Sequence, residues 1–301
     1  MSPAYGVWNI HSKEILPEYL ELCLHSPQSM DYYKNKLRGT TARRRSITTG
    51  DLLALPIILP SLTEQKIIMG LLRLPSLFLT SQKQAMLKFD ELVKSRFVEM
   101  FGEPDRNPMN WETAELGHHL NVVGGFAFKS DGFTNSGIPV LRIGNINSGR
   151  FLPVNMVFWP DEPSLVRYKM YPGDLVMSLT GTVGKDDYGN VCILSDEYPE
   201  YYLNQRNAKL AIGATLNKHY LSEMLKFSRV KKRLTGISRG VRQANISNRD
   251  ILALCVPIPS ITLQKQFAAF VSEVDKSKLA VKQSLEKLET LKKSLMQQYF
   301  G

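Results

Sequence analysis

The sequence predicts an α+β protein, in which a mixed α/β domain is joined to long antiparallel helices that pair as a coiled coil. Three observations predict this class. The chain has no glycine or proline from Ile261 to Phe300, so one long helix is expected there. A similar segment occurs 199 residues earlier. Short β-rich runs separated by glycine turns fill much of the sequence between the two segments.

The segment 260–301 carries an apolar stripe. Its leucines recur mostly at three- and four-residue steps, while lysine and glutamate fill the other faces. These leucines are Leu279, Leu285, Leu288, Leu291 and Leu295. An apolar stripe on so long a helix needs a partner helix, so a coiled-coil pairing is expected.

The partner helix is expected within the same chain, because the sequence contains an internal repeat. Without any gap, a series of residues matches residues located 199 positions earlier. The matched pairs include Ile47 and Ile246, Asp51 and Asp250, Pro60 and Pro259, Gln65 and Gln264, and Phe101 and Phe300. This period is far longer than that of solenoid repeats, so each copy is expected to hold a domain of its own.

Residues 1–60 are interpreted as the C-terminal remnant of a first domain, with a helical stripe from Leu16 to Leu24. The counterpart of residues 103–199 would lie upstream. We therefore expect a truncated or rearranged gene, or another chain that supplies that part. The first long helix is assigned to residues 61–102, with a break at Pro75 before a second helix that runs from about Ser76 to Phe101.

The complete domain is assigned to residues 103–259, followed by the second long helix at residues 260–301. Strands are predicted within residues 121–128, 138–146 and 173–178, and a helix within residues 216–234. Two apolar runs that close against proline, residues 52–59 and 251–258, are predicted to be buried strands, one in each copy.

Charge and cysteine content restrict the class of partner. The formal net charge is +10 and the isoelectric point is near 9.4, which favours a polyanion, with nucleic acid ahead of a membrane surface. Three cysteines stand far apart, so neither a zinc site nor a disulfide framework is indicated. No apolar run approaches membrane-spanning length, and a cytoplasmic protein without membrane contact is expected.

Several motifs, taken in order, resemble the specificity (S) subunit of type I restriction-modification systems. They are Gly125-Phe126-Ala127-Phe128-Lys129-Ser130, Ile138-Pro139-Val140-Leu141-Arg142-Ile143-Gly144-Asn145-Ile146, Gly173-Asp174-Leu175-Val176-Met177-Ser178, Gly181-Thr182-Val183-Gly184-Lys185 and Leu203-Asn204-Gln205-Arg206. Each motif alone is only weak evidence for this family, but their order together with the repeat is specific to it. The resemblance covers essentially the whole chain.

The resemblance implies a non-catalytic subunit that binds double-stranded DNA and positions methyltransferase and restriction subunits. In that family two target recognition domains each read half of a bipartite sequence, and two long helices fix their separation. The present sequence departs from this pattern because it lacks the front of the first recognition domain. A second copy of the chain is a further possible partner, and no cofactor is implied.

Candidate DNA contacts follow from side-chain chemistry. Arg142 and Asn145 are the first choices for reading bases, since arginine pairs with guanine and asparagine with adenine. The alternatives are a salt bridge for Arg142 and a simple turn at Asn145. Phosphate contacts are expected from Lys129, Ser130, Lys185, Arg206, Arg239 and Arg242, and either role from Ser178, Thr180, Thr182 and Gln243.

A basic turn recurs at the same place in both copies. In the first copy it contains Arg43, Arg44 and Arg45, and in the second it contains Arg239 and Arg242. A single turn of this kind is typical of a solvated surface loop. Its recurrence favours a DNA contact.

The sequence lacks the residues that metal binding, nucleotide binding or catalysis would require. His118 and His119 have no acidic or cysteine partner at metal-binding spacing. The run Gly181–Lys185 is too short for a phosphate-binding loop, and Asp186 stands where that loop needs serine or threonine. Neither a metal-dependent nuclease core nor an adenine-methyltransferase tetrad is found.

The sequence therefore predicts a DNA sequence-recognition subunit. The alternative is a helical assembly scaffold that binds methyltransferase subunits, or a second copy, with little DNA specificity. A helix of about 26 residues would be about 40 Å long, slightly more than one turn of B-DNA, so helix length is expected to set the spacing of the half-sites.

Overall fold

A computed structural model describes residues 8–37, 46–146, 149–236 and 243–301. The predicted contacts Arg43, Arg44, Arg45, Arg239 and Arg242 lie outside the described residues. The chain divides into two compact units, Met1–Phe89 with Lys276–Gly301 and Asp90–Asp275. The division cuts both long helices, whereas the sequence placed its boundaries at their ends.

Eight helices are found in the described residues. They are α1 (Pro17–Leu24), α2 (Pro27–Lys36), α3 (Thr49–Leu53), α4 (Leu62–Phe101), α5 (Lys218–Lys226), α6 (Ser228–Thr235), α7 (Asn248–Leu252) and α8 (Ile261–Phe300). The predicted helix at 216–234 is thus two helices, which meet at Phe227. Among the described helices, none combines the length and the apolar character that crossing a membrane requires.

The described part of the second unit contains twelve strands. They are β1 (Thr113–Glu115), β2 (Leu120–Gly124), β3 (Ile138–Leu141), β4 (Val157–Trp159), β5 (Lys169–Met170), β6 (Leu175–Ser178), β7 (Thr180–Thr182), β8 (Val191–Ile193), β9 (Tyr201–Leu203), β10 (Asn207–Ile212), β11 (Gln243–Asn245) and β12 (Cys255–Pro257). They form two four-stranded sheets, β2-β10-β6-β8 and β4-β3-β9-β5, and two ladders, β1-β12 and β7-β11. The predicted α+β class is confirmed.

The sheets enclose the core of the second unit. In the first sheet all pairs are antiparallel, while in the second β3 and β9 run parallel. One core cluster joins residues of both sheets, namely Leu141, Ile146, Met170, Val176, Cys192, Leu194, Tyr201 and Leu203. A second cluster, rich in aromatic rings, lies around Tyr202 and Phe128. Because both sheets contribute to one core, the turns at their edges are held in fixed positions.

The first long helix is continuous through Pro75, so the predicted break is wrong. Buried or half-buried residues recur along α4 at alternating three- and four-residue steps, and Pro75 is one of them. These residues include Gln65, Ile68, Leu72, Pro75, Leu79, Gln82, Met86, Phe89 and Val93. Proline in a helix costs about 3 kcal/mol, and burial of the apolar residues on both sides offsets that cost.

The buried and half-buried residues of helix α8 have the same heptad spacing. Not all of the leucines predicted to form its apolar stripe belong to that face. Leu285, Leu288 and Leu295 lie on its half-buried face, whereas Leu279 and Leu291 are exposed. Each exposed leucine is one residue off the heptad step, which places it about 100° around the helix. Both helices have 40 residues, so each is about 60 Å long rather than the expected 40 Å.

Within each unit the end of one long helix meets the start of the other. In the second unit Phe101 of α4 lies 5.6 Å from Phe267 of α8, measured between ring centroids. In the first unit Phe300 of α8 packs in one cluster with Ile68 and Leu72 of α4. The helices are therefore antiparallel.

The predicted strand at residues 52–59 is wrong, and the one at residues 251–258 is shorter than predicted. Each segment starts in a short helix, α3 or α7, because a hydroxyl caps it: Thr48 accepts from the Asp51 N–H and Ser247 from the Asp250 N–H. Only β12 then forms a strand, since β1 pairs with it.

The two copies repeat the same anchoring contacts, each within its own unit. The amide of Gln65 accepts a hydrogen bond from the Leu16 N–H at 2.9 Å and donates one to the Pro60 carbonyl at 2.8 Å. Gln264, its counterpart, accepts from Asn217 and donates to Pro259 at 2.8 and 2.7 Å. Both amides are buried at the start of a long helix, so each fixes that helix to the segments preceding it.

Candidate nucleic-acid interface

The ends of several strands meet at one edge of the second unit. The side chain of Asn207, at the start of β10, donates to the Leu141 carbonyl at the end of β3 at 2.7 Å. The Leu179 N–H, just after β6, donates to the Arg206 carbonyl at 2.8 Å. We call residues 142–145, 178–185 and 204–206, together with β11, the polar edge.

The ladder of β7 and β11 extends the polar edge. Thr182 pairs with Gln243 and Thr180 with Asn245 in an antiparallel register. The Ile246 N–H donates to the Leu179 carbonyl at 2.8 Å, which joins the ladder to β6. The backbone of Gln243 therefore lies beside Thr182, as a shared contact surface requires.

A tight turn presents Lys185 at this edge. The Lys185 N–H donates to the Thr182 carbonyl at 3.0 Å, and Gly184, between them, has φ +78°. Glycine suits that position because a positive φ strains residues with a Cβ. Thr182 and Lys185 are exposed, so both side chains reach solvent from a fixed backbone.

The loop after Lys185 is clamped to α6. Lys231, only 9% exposed at its side chain, donates to Asn190 at 2.7 Å and pairs with the Asp186 carboxylate at 2.5 Å. The Tyr188 hydroxyl donates to the Thr235 carbonyl at 2.7 Å. These contacts immobilise the loop, so less conformational entropy is lost when it binds a partner.

Asp187 makes this loop sensitive to acid. Its carboxylate accepts the Thr182 N–H at 2.8 Å, and that bond holds the carboxyl pKa below its usual range. The stabilisation is present above the ordinary aspartate pKa of about 3.9 and is lost as the pH falls through the lowered value.

We expect the Thr182 amide to exchange faster with solvent as the pH falls below about 4, after correction for the intrinsic rate. Asp187→Asn should flatten this dependence, because its amide oxygen still accepts but does not titrate. Amide exchange followed by NMR between pH 2.5 and 6 measures both. Asp196→Asn, an exposed control, should keep the wild-type profile; an unchanged profile in Asp187→Asn would contradict the assignment.

Arg142 follows β3 directly and stays half-buried. Its guanidinium donates to the Asn155 carbonyl. A guanidinium carries five N–H donors, so this bond leaves capacity for a bidentate contact with a base. No salt bridge of Arg142 is found within the described residues.

Asn145 faces inward and is 2% exposed. Its amide oxygen accepts the Arg142 N–H at 2.9 Å, and its amide nitrogen donates to the carbonyls of Leu152 and Val154 at 2.9 and 3.0 Å. The amide is thus used inside the domain, which argues against the predicted adenine contact. The turn at Asn145 positions Arg142 instead.

Replacing Asn145 with leucine is expected to lower the free energy of unfolding by about 1–3 kcal/mol, because the Arg142 N–H and the carbonyls of Leu152 and Val154 lose a partly buried partner. Asn145→Asp keeps the acceptor for the Arg142 N–H and should fall between leucine and wild type. Urea denaturation of the three proteins measures the order. Equal stability of Asn145→Leu and wild type would contradict this role.

The remaining candidate DNA contacts at the polar edge differ in their exposure to solvent. Ser178 is buried and its hydroxyl accepts the Asn190 N–H at 3.1 Å, which argues against a DNA contact. Thr180 is half-buried, and its hydroxyl has no hydrogen-bond partner among the described residues. Arg206 is exposed on the polar edge.

Lys129 and Ser130 are exposed but do not belong to the polar edge. Gly132, next in their turn, abuts Trp159, which pairs with the first residue of β3. Arg142 follows the last residue of that strand. The structure therefore places Lys129 and Ser130 towards the opposite end of β3 from the polar edge.

Sequence reasoning missed the residues that clamp the loop. Asp186 was read only as a departure from a phosphate-binding loop, and Tyr188 and Lys231 were not singled out. The signal in the sequence is weak: acidic and aromatic residues follow Gly184-Lys185, and a lysine occurs 45 residues later.

Comparisons with known proteins place these features in a family. A family model described as "Type I restriction modification DNA specificity domain" matches residues 108–292. The MjaVIII type I restriction enzyme specificity subunit of Methanocaldococcus jannaschii is 26% identical over 197 residues, which cover 63% of this chain and 45% of that protein. The StySPI specificity subunit of Salmonella potsdam is 22% identical over 201 residues, covering 63% and 42%. The chain thus spans less than half the length of these relatives.

Solved structures share the fold. The S subunit of a type I restriction-modification system from M. genitalium has a TM-score of 0.57 and 16% identity, covering 96% of this chain and 73% of that one. A chain from a structural study of complex assembly in the type I system has a TM-score of 0.54 and 18% identity, covering 94% and 70%.

Proposed function

This chain belongs to the type I restriction modification DNA specificity domain family, and on that premise we propose that it reads part of a bipartite DNA sequence. The main support for this proposal is the polar edge. It presents Arg142, Lys185 and Arg206 on turns that strands and a clamped loop hold in place. The net charge of +10 attracts the DNA backbone to the chain.

We assign different roles to these side chains. Lys185 and Arg206 are exposed and contact phosphates, which position the protein without reading sequence. Arg142 reads a guanine, because its orientation is fixed by Asn155 and arginine pairs bidentately with that base. Thr182 adds a polar contact beside the backbone of Gln243.

The long helices supply the docking surface in this proposal. An apolar stripe on α4, separate from its buried face, is exposed at Ile67, Leu71, Leu74 and Phe78. Exposed apolar stripes of this kind mark interaction sites. We propose that methyltransferase subunits bind here, and that restriction subunits join through them in the cytoplasm. No catalytic step is assigned to this chain.

DNA binding by the chain together with its methyltransferase subunit tests the proposal. The methylated motif is first identified by sequencing DNA from cells that express both. We expect at least about 100-fold tighter binding to that motif than to a scrambled duplex, and weaker binding as salt rises. Equal affinity for both duplexes would overturn the proposal and favour the helical scaffold.

A further inference from the structure

One exposed side chain of the polar edge is apolar. Val183 lies in the turn between Thr182 and Lys185 and is 40% exposed. Among the described residues of the polar edge it is the one large apolar side chain in solvent, since Leu179 is buried and Ile143 is half-buried. A single exposed apolar residue is common on protein surfaces, so the position of Val183 matters more than its exposure.

The turn that contains Val183 has a defined geometry. The Lys185 N–H donates to the Thr182 carbonyl at 3.0 Å, and Gly184 has φ +78°. A positive φ at the third residue is typical of a type II turn, in which Val183 takes the second position. A hydrogen bond therefore closes the backbone around Val183, and its side chain stands at the tip of the turn.

Loop contacts fix the strand that leads into this turn. Gly181 packs so closely against the loop that a Cβ there would overlap the Asp187 carboxylate and lie 2.8 Å from the Tyr188 Cβ. The Thr182 N–H donates to that carboxylate at 2.8 Å, and the ladder with β11 holds the same strand. Valine is also stiff at χ1, so Val183 loses little conformational entropy when it makes a contact.

The chemistry of valine restricts what this side chain can recognise on DNA. Valine neither donates nor accepts a hydrogen bond through its side chain. In the major groove the base edges present hydrogen-bonding groups and a single apolar group, which is the C5 methyl of thymine. A valine held against the base edges would therefore favour thymine over the other three bases.

We propose that Val183 contacts the C5 methyl of a thymine in the major groove and so determines part of the recognised sequence. The inference rests on the proposed function, because it requires the polar edge to lie on DNA. A phosphate contact by the exposed Lys185 fixes the turn on the duplex, and Val183 then lies against the groove. Arg142 and Val183 thus read bases by different means, one through hydrogen bonds and the other through an apolar contact.

Uracil in place of thymine tests the proposal, because the two bases differ only in the C5 methyl. The chain and its methyltransferase subunit are mixed with duplexes that contain the methylated motif and its flanks, in which each thymine in turn is replaced by deoxyuridine. Fluorescence anisotropy measures the affinity. At one thymine we expect the replacement to weaken binding about fourfold, the factor that corresponds to losing one buried methyl group.

Val183→Ala identifies the side chain that contacts the methyl. This variant should bind the motif at least about fourfold more weakly than the wild type, while uracil at the sensitive position should cause no further loss. Tyr171→Ala is the control and should keep the wild-type response. Tyr171 is 49% exposed and follows Met170, which pairs with the first residue of β9, whereas the polar edge follows the last residue of that strand.

The outcomes separate this inference from the proposed function. If the wild type prefers the motif to a scrambled duplex but no thymine responds to uracil, the thymine contact is overturned and the proposed function stands. A uracil effect that persists in Val183→Ala assigns the methyl to another side chain and also overturns the inference. Equal affinity of the wild type for the motif and the scrambled duplex overturns both.

Discussion

Replacing Phe97 with alanine is expected to lower the free energy of unfolding of the second unit by about 3–5 kcal/mol. Phe97 is fully buried near the end of α4. Its ring stacks on Tyr220 with centroids 5.3 Å apart and lies 5.5 Å from Phe267. Removing it leaves a cavity between three elements, which neighbouring rings cannot fill without losing their own contacts.

The loss should exceed that of an ordinary core residue because α4 reaches this unit only through its last turns. Urea denaturation measures the change, and hydrogen exchange of residues 103–259 shows which unit has been destabilised. Phe78→Ala serves as the control, since Phe78 is exposed on the same helix and should change stability by less than about 0.5 kcal/mol. Similar losses from both substitutions would contradict the packing described for Phe97.

The repeat was visible in the sequence because it left identical residues at a constant offset. Gln65 and Gln264 illustrate this, since both are buried and both make the same two hydrogen bonds. A buried amide with two partners tolerates few substitutions. Such residues therefore carry the predictable part of the fold.

The continuity of α4 was not predictable from local preference. Pro75 lacks an N–H and disfavours a helix by about 3 kcal/mol, which a reading of neighbouring residues cannot overcome. The compensation comes from a buried face that runs from Gln65 to Val93, and that face is defined by packing against residues distant in sequence. Tertiary contacts outweighed local propensity here.

The positions of the candidate side chains were harder to predict than the motifs that contain them. The motif around Arg142 and Asn145 was recognised, but residue type does not reveal which of two neighbouring polar side chains turns inward. That direction depends on the carbonyls of Leu152 and Val154, which reach Asn145 only after folding. The clamp from Lys231 to Asp186 was missed for the same reason, because it joins a helix to a distant loop.

Replacing Arg142 with alanine should weaken binding to the recognised DNA sequence by about 1–3 kcal/mol, or roughly 5- to 150-fold. The affected base pair should lose its preference, while binding to unrelated DNA changes little. In the proposed contact the bond to Asn155 occupies one donor of the guanidinium, and the remaining donors pair bidentately with a guanine.

Arg206→Ala supplies the contrast, because an exposed side chain on the same edge is expected to contact phosphate. It should weaken binding to all sequences alike and reduce the slope of log affinity against log salt by about one. Lys129→Ala, towards the opposite end of β3, should do neither. Fluorescence anisotropy with the methylated motif and a scrambled duplex, at two salt concentrations and in the presence of the methyltransferase subunit, measures all three variants. If Arg142→Ala and Arg206→Ala weaken both duplexes equally, then Arg142 contacts phosphate and the reading of guanine must be assigned elsewhere.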